Sequence, residues 1–220
     1  MKITKEIFQV AGPGLTTSDD AAVYLIKLGA AAALIDAGSG EAMFKLLAQI
    51  REYGVEPQTI SHLFLTHCHY DHTGGAAAFK KQFPQVKIVA HALEAPYLEK
   101  GDQEVTAASW YGARIKPVPV DLKWRGASQT FELADRVLTG YHTPGHSPGS
   151  TVYMMVSEGL KVLFGQDVHG PLHPGLLSNR EDYRRSLLLL LDLEADILCE
   201  GHYGIYRGKK EVAAFIKKYL

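Results

Sequence analysis

Residues 66–75 read Thr-His-Cys-His-Tyr-Asp-His-Thr-Gly-Gly, which sets three imidazoles and a carboxylate within the six positions His67 to His72. Imidazole nitrogen and carboxylate oxygen are the donors that hold a divalent cation such as zinc. The run follows a predicted strand, His62 to Thr66. While the backbone stays extended, alternate residues share a face, so His67 and His69 point to the same side. The chain then enters a predicted helix with Asp71 and His72 in its first turn, where the positive helix end favours an ionised carboxylate and a neutral imidazole. Both are the protonation states that a cation requires. Four donors exceed what one ion can take from so short a loop, which points to a pair of ions and to further donors elsewhere.

Three residues answer that demand, each just beyond a predicted strand. They are His146, in HTPGHSPGS after Val137 to Tyr141; Asp167, after Lys161 to Phe164; and His202, after Ile197 to Glu200. Loops at strand ends are where binding and catalytic groups collect. Taken singly, each of the three reads as a surface or capping residue, and it is the His67 cluster that gives them a shared role.

The elements that must position these groups alternate along the chain. Strands are predicted at Ile3 to Val10, Ala22 to Leu28 and Ala32 to Asp36. A helix follows over Gly40 to Tyr53, with Met43, Leu46, Leu47 and Ile50 on one face and Gly54 as its stop. Beyond the strand at His62 come a helix from Asp71 to Phe83, a strand at Val86 to Ala90 and a helix over Ala92 to Lys100. The segment Gly101 to Arg125, with Trp110, Tyr111 and Trp124, is less regular and is expected to lie as an insertion over a site. Strands at Thr130 to Leu133, Val137 to Tyr141, Thr151 to Val156 and Lys161 to Phe164 precede a helix at Glu181 to Leu193, the strand Ile197 to Glu200 and a closing helix at Lys209 to Tyr219. The pattern is α/β, two sheets with helices outside, in a single domain over residues 1–220.

Composition narrows the partners. With 220 residues, 46% hydrophobic and 21% charged, the chain buries a large core without crosslinks. A formal net charge of -1 provides no field for nucleic acid or anionic lipid, so neither is expected as a partner and a small-molecule substrate is. The longest aliphatic runs, Ala30 to Ile35 and Leu187 to Leu191, fall far short of the roughly 20 residues that span a bilayer. The opening MKITKEIFQV has no secretory character, and a cytoplasmic address is expected. Ten histidines against two cysteines, Cys68 and Cys199, exclude a disulfide framework. Cys68, between two candidate ligands, is expected to face away and pack. The remaining nitrogen and oxygen donors suit zinc, iron or manganese.

THCHYDHTGG resembles the His-x-His-x-Asp-His signature of the metallo-β-lactamase superfamily. LIDAGSG resembles its first motif, HTPGHSPGS its third, FGQDVHG its fourth and CEGHYG its last, in the family's order. The resemblance implies an αββα sandwich, two mixed β-sheets flanked by helices, with a dinuclear site at the sheet edges. It implies that His67, His69 and His146 bind one ion, that Asp71, His72 and His202 bind the second, and that Asp167 bridges them. Asp36 would orient the ligand loop, although from the residues alone a turn aspartate fits equally well. The implied reaction is hydrolysis by a hydroxide shared between two divalent ions, zinc foremost, with Asp71 as the catalytic residue that handles the proton.

The ligand set that includes Asp167 most resembles the glyoxalase II-like and lactonase-like branches. A small ester, thioester or lactone is therefore the expected substrate, and antibiotic hydrolysis is disfavoured. Only eighteen residues follow His202, leaving out the C-terminal segment that helps glyoxalase II proteins hold glutathione, and neither Tyr203 nor Tyr206 matches the lactonase tyrosine motif. The alternatives are a mononuclear non-haem iron dioxygenase acting on a thiol persulfide and a non-catalytic ligand-binding relative. His169 and His173 are candidates for substrate contact or proton transfer. Trp110, Tyr111 and Trp124 are expected in core or lid packing, and His62, His91 and His142 are read as structural, with His142 beside His146.

Overall fold

A computed structural model describes residues 1–220, apart from the side chain of Gln166. Two six-stranded sheets form its centre. The first runs in chain order through β1 (Ile7–Ala11), β2 (Val23–Leu28), β3 (Ala31–Ile35), β4 (Ile60–Phe64), β5 (Lys87–His91) and β6 (Leu122–Trp124). Its first two pairings are antiparallel and the remaining three parallel. The second sheet holds β7 (Ser128–Leu133), β8 (Arg136–His142), β9 (Thr151–Ser157), β10 (Leu160–Gln166), β11 (Ile197–Glu200) and β12 (Ile205–Arg207). Only the β10–β11 pair there is parallel.

Period-two alternation assigns each strand residue to a layer. Ile35, Phe64, Phe164 and Cys199 point between the sheets, where they join Tyr24 and Tyr153. Their neighbours Leu34, Leu63, Leu163 and Leu198 point outward. On the first sheet's outer face lie α1 (Met43–Glu52), α3 (Ala76–Gln82) and α4 (Ala95–Lys100), through Leu46, Ile50, Phe79 and Leu98. Against the second sheet lie α5 (Arg180–Asp192) and α6 (Lys209–Lys217), through Tyr183, Leu187, Phe215 and Ile216. These four layers are the αββα sandwich that the motifs imply. No helix is long and apolar enough to cross a membrane among the described residues.

Several boundaries differ from the sequence reading. The helix predicted from Asp71 to Phe83 is two, a short α2 (Tyr70–Thr73) and α3, separated at Gly74 and Gly75. A Cβ on either glycine would press into the carbonyl oxygens of Ser39 and Ala37, so the break is a close approach of two backbones. The first strand begins at Ile7 and not Ile3, because the Thr4 hydroxyl accepts the N–H groups of Glu6 and Ile7 and bends the chain. Strand β12 was not anticipated. In the segment 101–125 only a 3-10 turn (Ala108–Tyr111) and β6 are regular; Trp124 enters the core, whereas Trp110 and Tyr111 stay about half exposed.

Candidate metal centre

The site lies where β3, β4, β8, β10 and β11 end. Asp36 follows β3, residues 66–69 follow β4, His146 sits in the loop after β8, Asp167 directly follows β10 and His202 lies two residues past β11. His69 is extended, with φ −66° and ψ 148°, and α2 begins at the next residue, placing Asp71 and His72 in its first turn as the spacing predicts.

Donor atoms of His67, His69, His146 and Asp167 lie within 4.8 Å of one another, as do those of Asp71, His72 and His202. Asp167 stands between the groups. Its Oδ1 is 3.0 Å from His72 Nε2 and 3.3 Å from His202 Nε2, while its Oδ2 is 3.1 Å from His146 Nε2 and 3.7 Å from His67 Nε2. Asp71 Oδ2 is 3.2 Å from His202 Nε2 and 3.5 Å from His72 Nε2. All seven residues singled out from the sequence therefore converge on one place.

The atoms facing that place suit a cation. Nε2 of His67, His69, His72 and His146 and Oδ1 of Asp167 are buried and make no well-aligned hydrogen bond. Leaving five such atoms unsatisfied is costly unless a positive ion is their partner. The opposite ring nitrogens are held. His72 Nδ1 is 2.7 Å from Asp36 Oδ2, and His146 Nδ1 is 2.8 Å from the Pro171 carbonyl. His67 Nδ1 is 3.0 Å from Thr66 Oγ1, whose own hydrogen goes to Asp36 Oδ2 at 2.8 Å, so the hydroxyl is left to accept from His67. All three rings thus carry hydrogen on Nδ1 and turn Nε2 toward the centre, the nitrogen whose lone pair a cation would take once it is deprotonated.

Three buried carboxylates support this shell. Asp36, with φ 63°, also takes the Thr66 N–H at 2.8 Å. Glu94 accepts the N–H of Cys68 at 2.7 Å, the N–H of Gly149 at 2.6 Å and the Ser147 hydroxyl at 2.9 Å, tying the His67–His69 turn to the His146 loop. Glu200 is 2.7 Å from His169 Nδ1 and accepts the N–H groups of His202 and Tyr203. Sequence reasoning passed over both glutamates. Glu200 left a trace, as the one charged side chain on the otherwise apolar β11; Glu94 left none.

Burial and neighbouring imidazoles keep His69 neutral, with its pKa lowered to about 3, and push His67 the same way. Burial opposes charge on His72 and His202 too, yet Asp167 and Asp71 overcome it, raising His72 well above the imidazole range and His202 to about 10. Against its own burial, Asp167 is held well below the carboxylate range by His72, His146 and His202. Imidazolium protons thus balance the two carboxylates, a charge that divalent ions supply equally.

Other histidines divide clearly. His169 forms a third donor group with Asp167 and His202. His173 is exposed and meets the Trp110 ring edge-on at 5.0 Å. His142 stacks on His91 at 4.0 Å and its Nε2 faces the Pro148 carbonyl; the His146 ring is held instead by Pro171, correcting the expected pairing. His62 stacks on Phe64. Cys68 packs in the outer-face core, as expected. Tyr206 stacks on Phe215, whereas Tyr203 meets His169 at 4.8 Å. Burial, followed by the charges of Asp71 and Asp167, raises the Tyr111 pKa, so its phenol keeps its hydrogen beside Asp71.

A family model described as the metallo-beta-lactamase superfamily matches residues 17–202. An atrochrysone carboxyl ACP thioesterase from Passalora fulva is 27% identical over 212 residues, 93% of this chain and 55% of that protein. A hydroxyacylglutathione hydrolase from Anaeromyxobacter dehalogenans is 39% identical over 129 residues, 59% of this chain and 40% of that protein. The chain spans about half the length of the curated relatives it matches. Among solved structures, BJP-1, a subclass B3 metallo-beta-lactamase of Bradyrhizobium japonicum, superposes with a TM-score of 0.80 at 25% identity, covering 100% of this chain and 89% of that one.

Proposed function

The chain belongs to the metallo-beta-lactamase superfamily, and from that premise we propose that it is a dinuclear metal-dependent hydrolase of small thioesters. Asp167 carries this reading: one carboxylate oxygen addresses His72 and His202 while the other addresses His146 and His67. His67, His69 and His146 would hold one ion, Asp71, His72 and His202 the other, with zinc the first choice of this donor set and iron or manganese compatible with it. When bound, such a pair brings the pKa of water to about 7 and polarises a carbonyl.

The chain's own groups do the rest. Asp71 opens onto the cavity beside the centre and is placed to hold the proton released during hydrolysis. Tyr111, kept as a phenol by burial and by the nearby charges of Asp71 and Asp167, lines the same cavity as Asp71. Thioesters are preferred to lactones and oxygen esters because the relatives quoted above are named an atrochrysone carboxyl ACP thioesterase and a hydroxyacylglutathione hydrolase.

Metal analysis of protein purified without added metal, combined with thioester turnover, tests the reading. The expected result is close to two divalent ions per chain, with loss of both turnover and one or more ions in Asp167→Ala. A single tightly held ion with full turnover overturns it, as does oxygen uptake with a thiol persulfide in place of thioester hydrolysis.

A further inference from the structure

We infer that the cavity beside the centre is an acyl pocket selecting a small apolar, preferentially aromatic, acyl group through Trp110. The inference rests on the thioesterase reading above and specifies its substrate. The cavity measures about 200 Å³. It is lined by candidate ligands such as Asp71 and Asp167 together with Trp110, Tyr111, Pro171 and Leu176.

Size comes first. Pockets for drug-sized ligands run from about 300 to 1,000 Å³, so this one takes the acyl part of a thioester and leaves the thiol carrier at the rim. Charge comes next. No lysine or arginine lines it among the described residues. With the His202 imidazole deprotonated and committed as a ligand, an anionic acyl tail would lose its water there without a lysine or arginine in return.

The aromatic wall is preset. Trp110 and Tyr111 lie on the 3-10 turn Ala108–Tyr111, bracketed by the left-handed residues Ala107 and Gly112. The Tyr70 N–H donates to the Thr106 carbonyl at 2.8 Å, docking this segment onto the helix that carries Asp71 and His72. The Tyr70 and Tyr111 rings meet at 5.4 Å, and the His173 ring backs Trp110. Trp110 nevertheless remains 51% exposed and Tyr111 42%. Two large aromatic rings held half bare at the rim of a catalytic cavity are a surface for an apolar ligand to cover.

Only two tryptophans occur, and Trp124 is in the core, so ligand-dependent fluorescence reports Trp110. The test compares kcat/KM of the zinc-loaded enzyme for acetyl, butanoyl, phenylacetyl and succinyl thioesters of one small thiol, and titrates the same protein with phenylacetate. A preference for phenylacetyl over acetyl of about tenfold is expected, lost in Trp110→Ala and restored in Trp110→Phe. Phenylacetate should shift the emission of the native protein to the blue and leave that of Trp110→Ala unchanged. A preference for succinyl, or an acyl ratio indifferent to Trp110→Ala, overturns the pocket. If no thioester is cleaved, the thioesterase reading fails by itself, and the titration still decides: an emission shift upholds the pocket and its absence overturns it.

Discussion

Asp36 Oδ2 lies 2.7 Å from His72 Nδ1, and the same oxygen takes the hydroxyl hydrogen of Thr66, which in turn receives His67 Nδ1. One carboxylate thereby fixes the tautomer of an imidazole in each donor group. Asp36→Asn probes this cleanly, since asparagine tolerates the left-handed φ of 63°. If its oxygen keeps the Thr66 N–H, its amide nitrogen faces two donors, and His72 must move its hydrogen to Nε2. Metal affinity should fall by about 10–100-fold with the fold retained, read by competition against a chromophoric chelator. Unchanged affinity would refute the tautomer argument.

Glu94 acts on the opposite flank. It gathers two backbone N–H groups and a hydroxyl from the loops that carry His67, His69 and His146. In Glu94→Gln either amide orientation sets an NH2 against a buried donor, at a cost of about 1–3 kcal/mol. For a domain of this size that is a fall in Tm of roughly 2–12 °C. Thermal unfolding without metal should show it, and metal should be lost from the His67–His69–His146 group before the other.

The centre was legible in the sequence because its donors crowd into His67–His72 and otherwise follow strands directly, so local spacing carried the geometry. The layers were legible too, since continuous apolar runs such as Leu34–Ile35 and Leu63–Phe64 serve cores on both faces of a sheet. What escaped depends on distant contacts. Glu94 reads like any helix-flanking glutamate until Cys68 and Ser147 arrive from residues 26 and 53 positions away. The division of α2 from α3 reflects the passage of residues 37–39, which no helical periodicity encodes. Strand β12, three residues long, is too short to show alternation.

Proton occupancy makes metal loading depend on pH. The raised pKa values of His72 and His202, the latter about 10, mean that their protons stabilise the metal-free fold fully below about pH 6.5 and progressively less as pH rises toward 10. Asp71 and Asp167, held low, act in the opposite direction and matter only near and below about pH 4. Cations need the same imidazoles deprotonated. Metal-free Tm should therefore decline from pH 6.5 to 9 while the increase in Tm on adding zinc grows, with protons released on binding. Calorimetry in two buffers of different ionisation enthalpy measures that release, and a metal-free Tm that rises over this interval contradicts the assignment.

Gly75 connects the backbone to the same chemistry. Its φ of −75° is helical, and alanine is the better helix former by up to about 1 kcal/mol. Conformation alone thus predicts that Gly75→Ala stabilises. Space predicts the reverse, because the new Cβ would press into the Ala37 carbonyl oxygen. The Gly75 N–H bonds the Gly38 carbonyl at 3.0 Å and the Ala37 N–H bonds the His72 carbonyl at 2.7 Å, so parting these segments moves Asp36 away from His72. Overpacking of this kind costs about 1–3 kcal/mol, which outweighs the propensity gain. Gly159→Ala is the control: at φ +78° with open space around it, it costs about 1–2 kcal/mol through conformation alone, far from any donor. Both variants should lose Tm, and only Gly75→Ala should weaken metal binding. Equal metal affinity in the two would show that Asp36 does not depend on this contact for its aim.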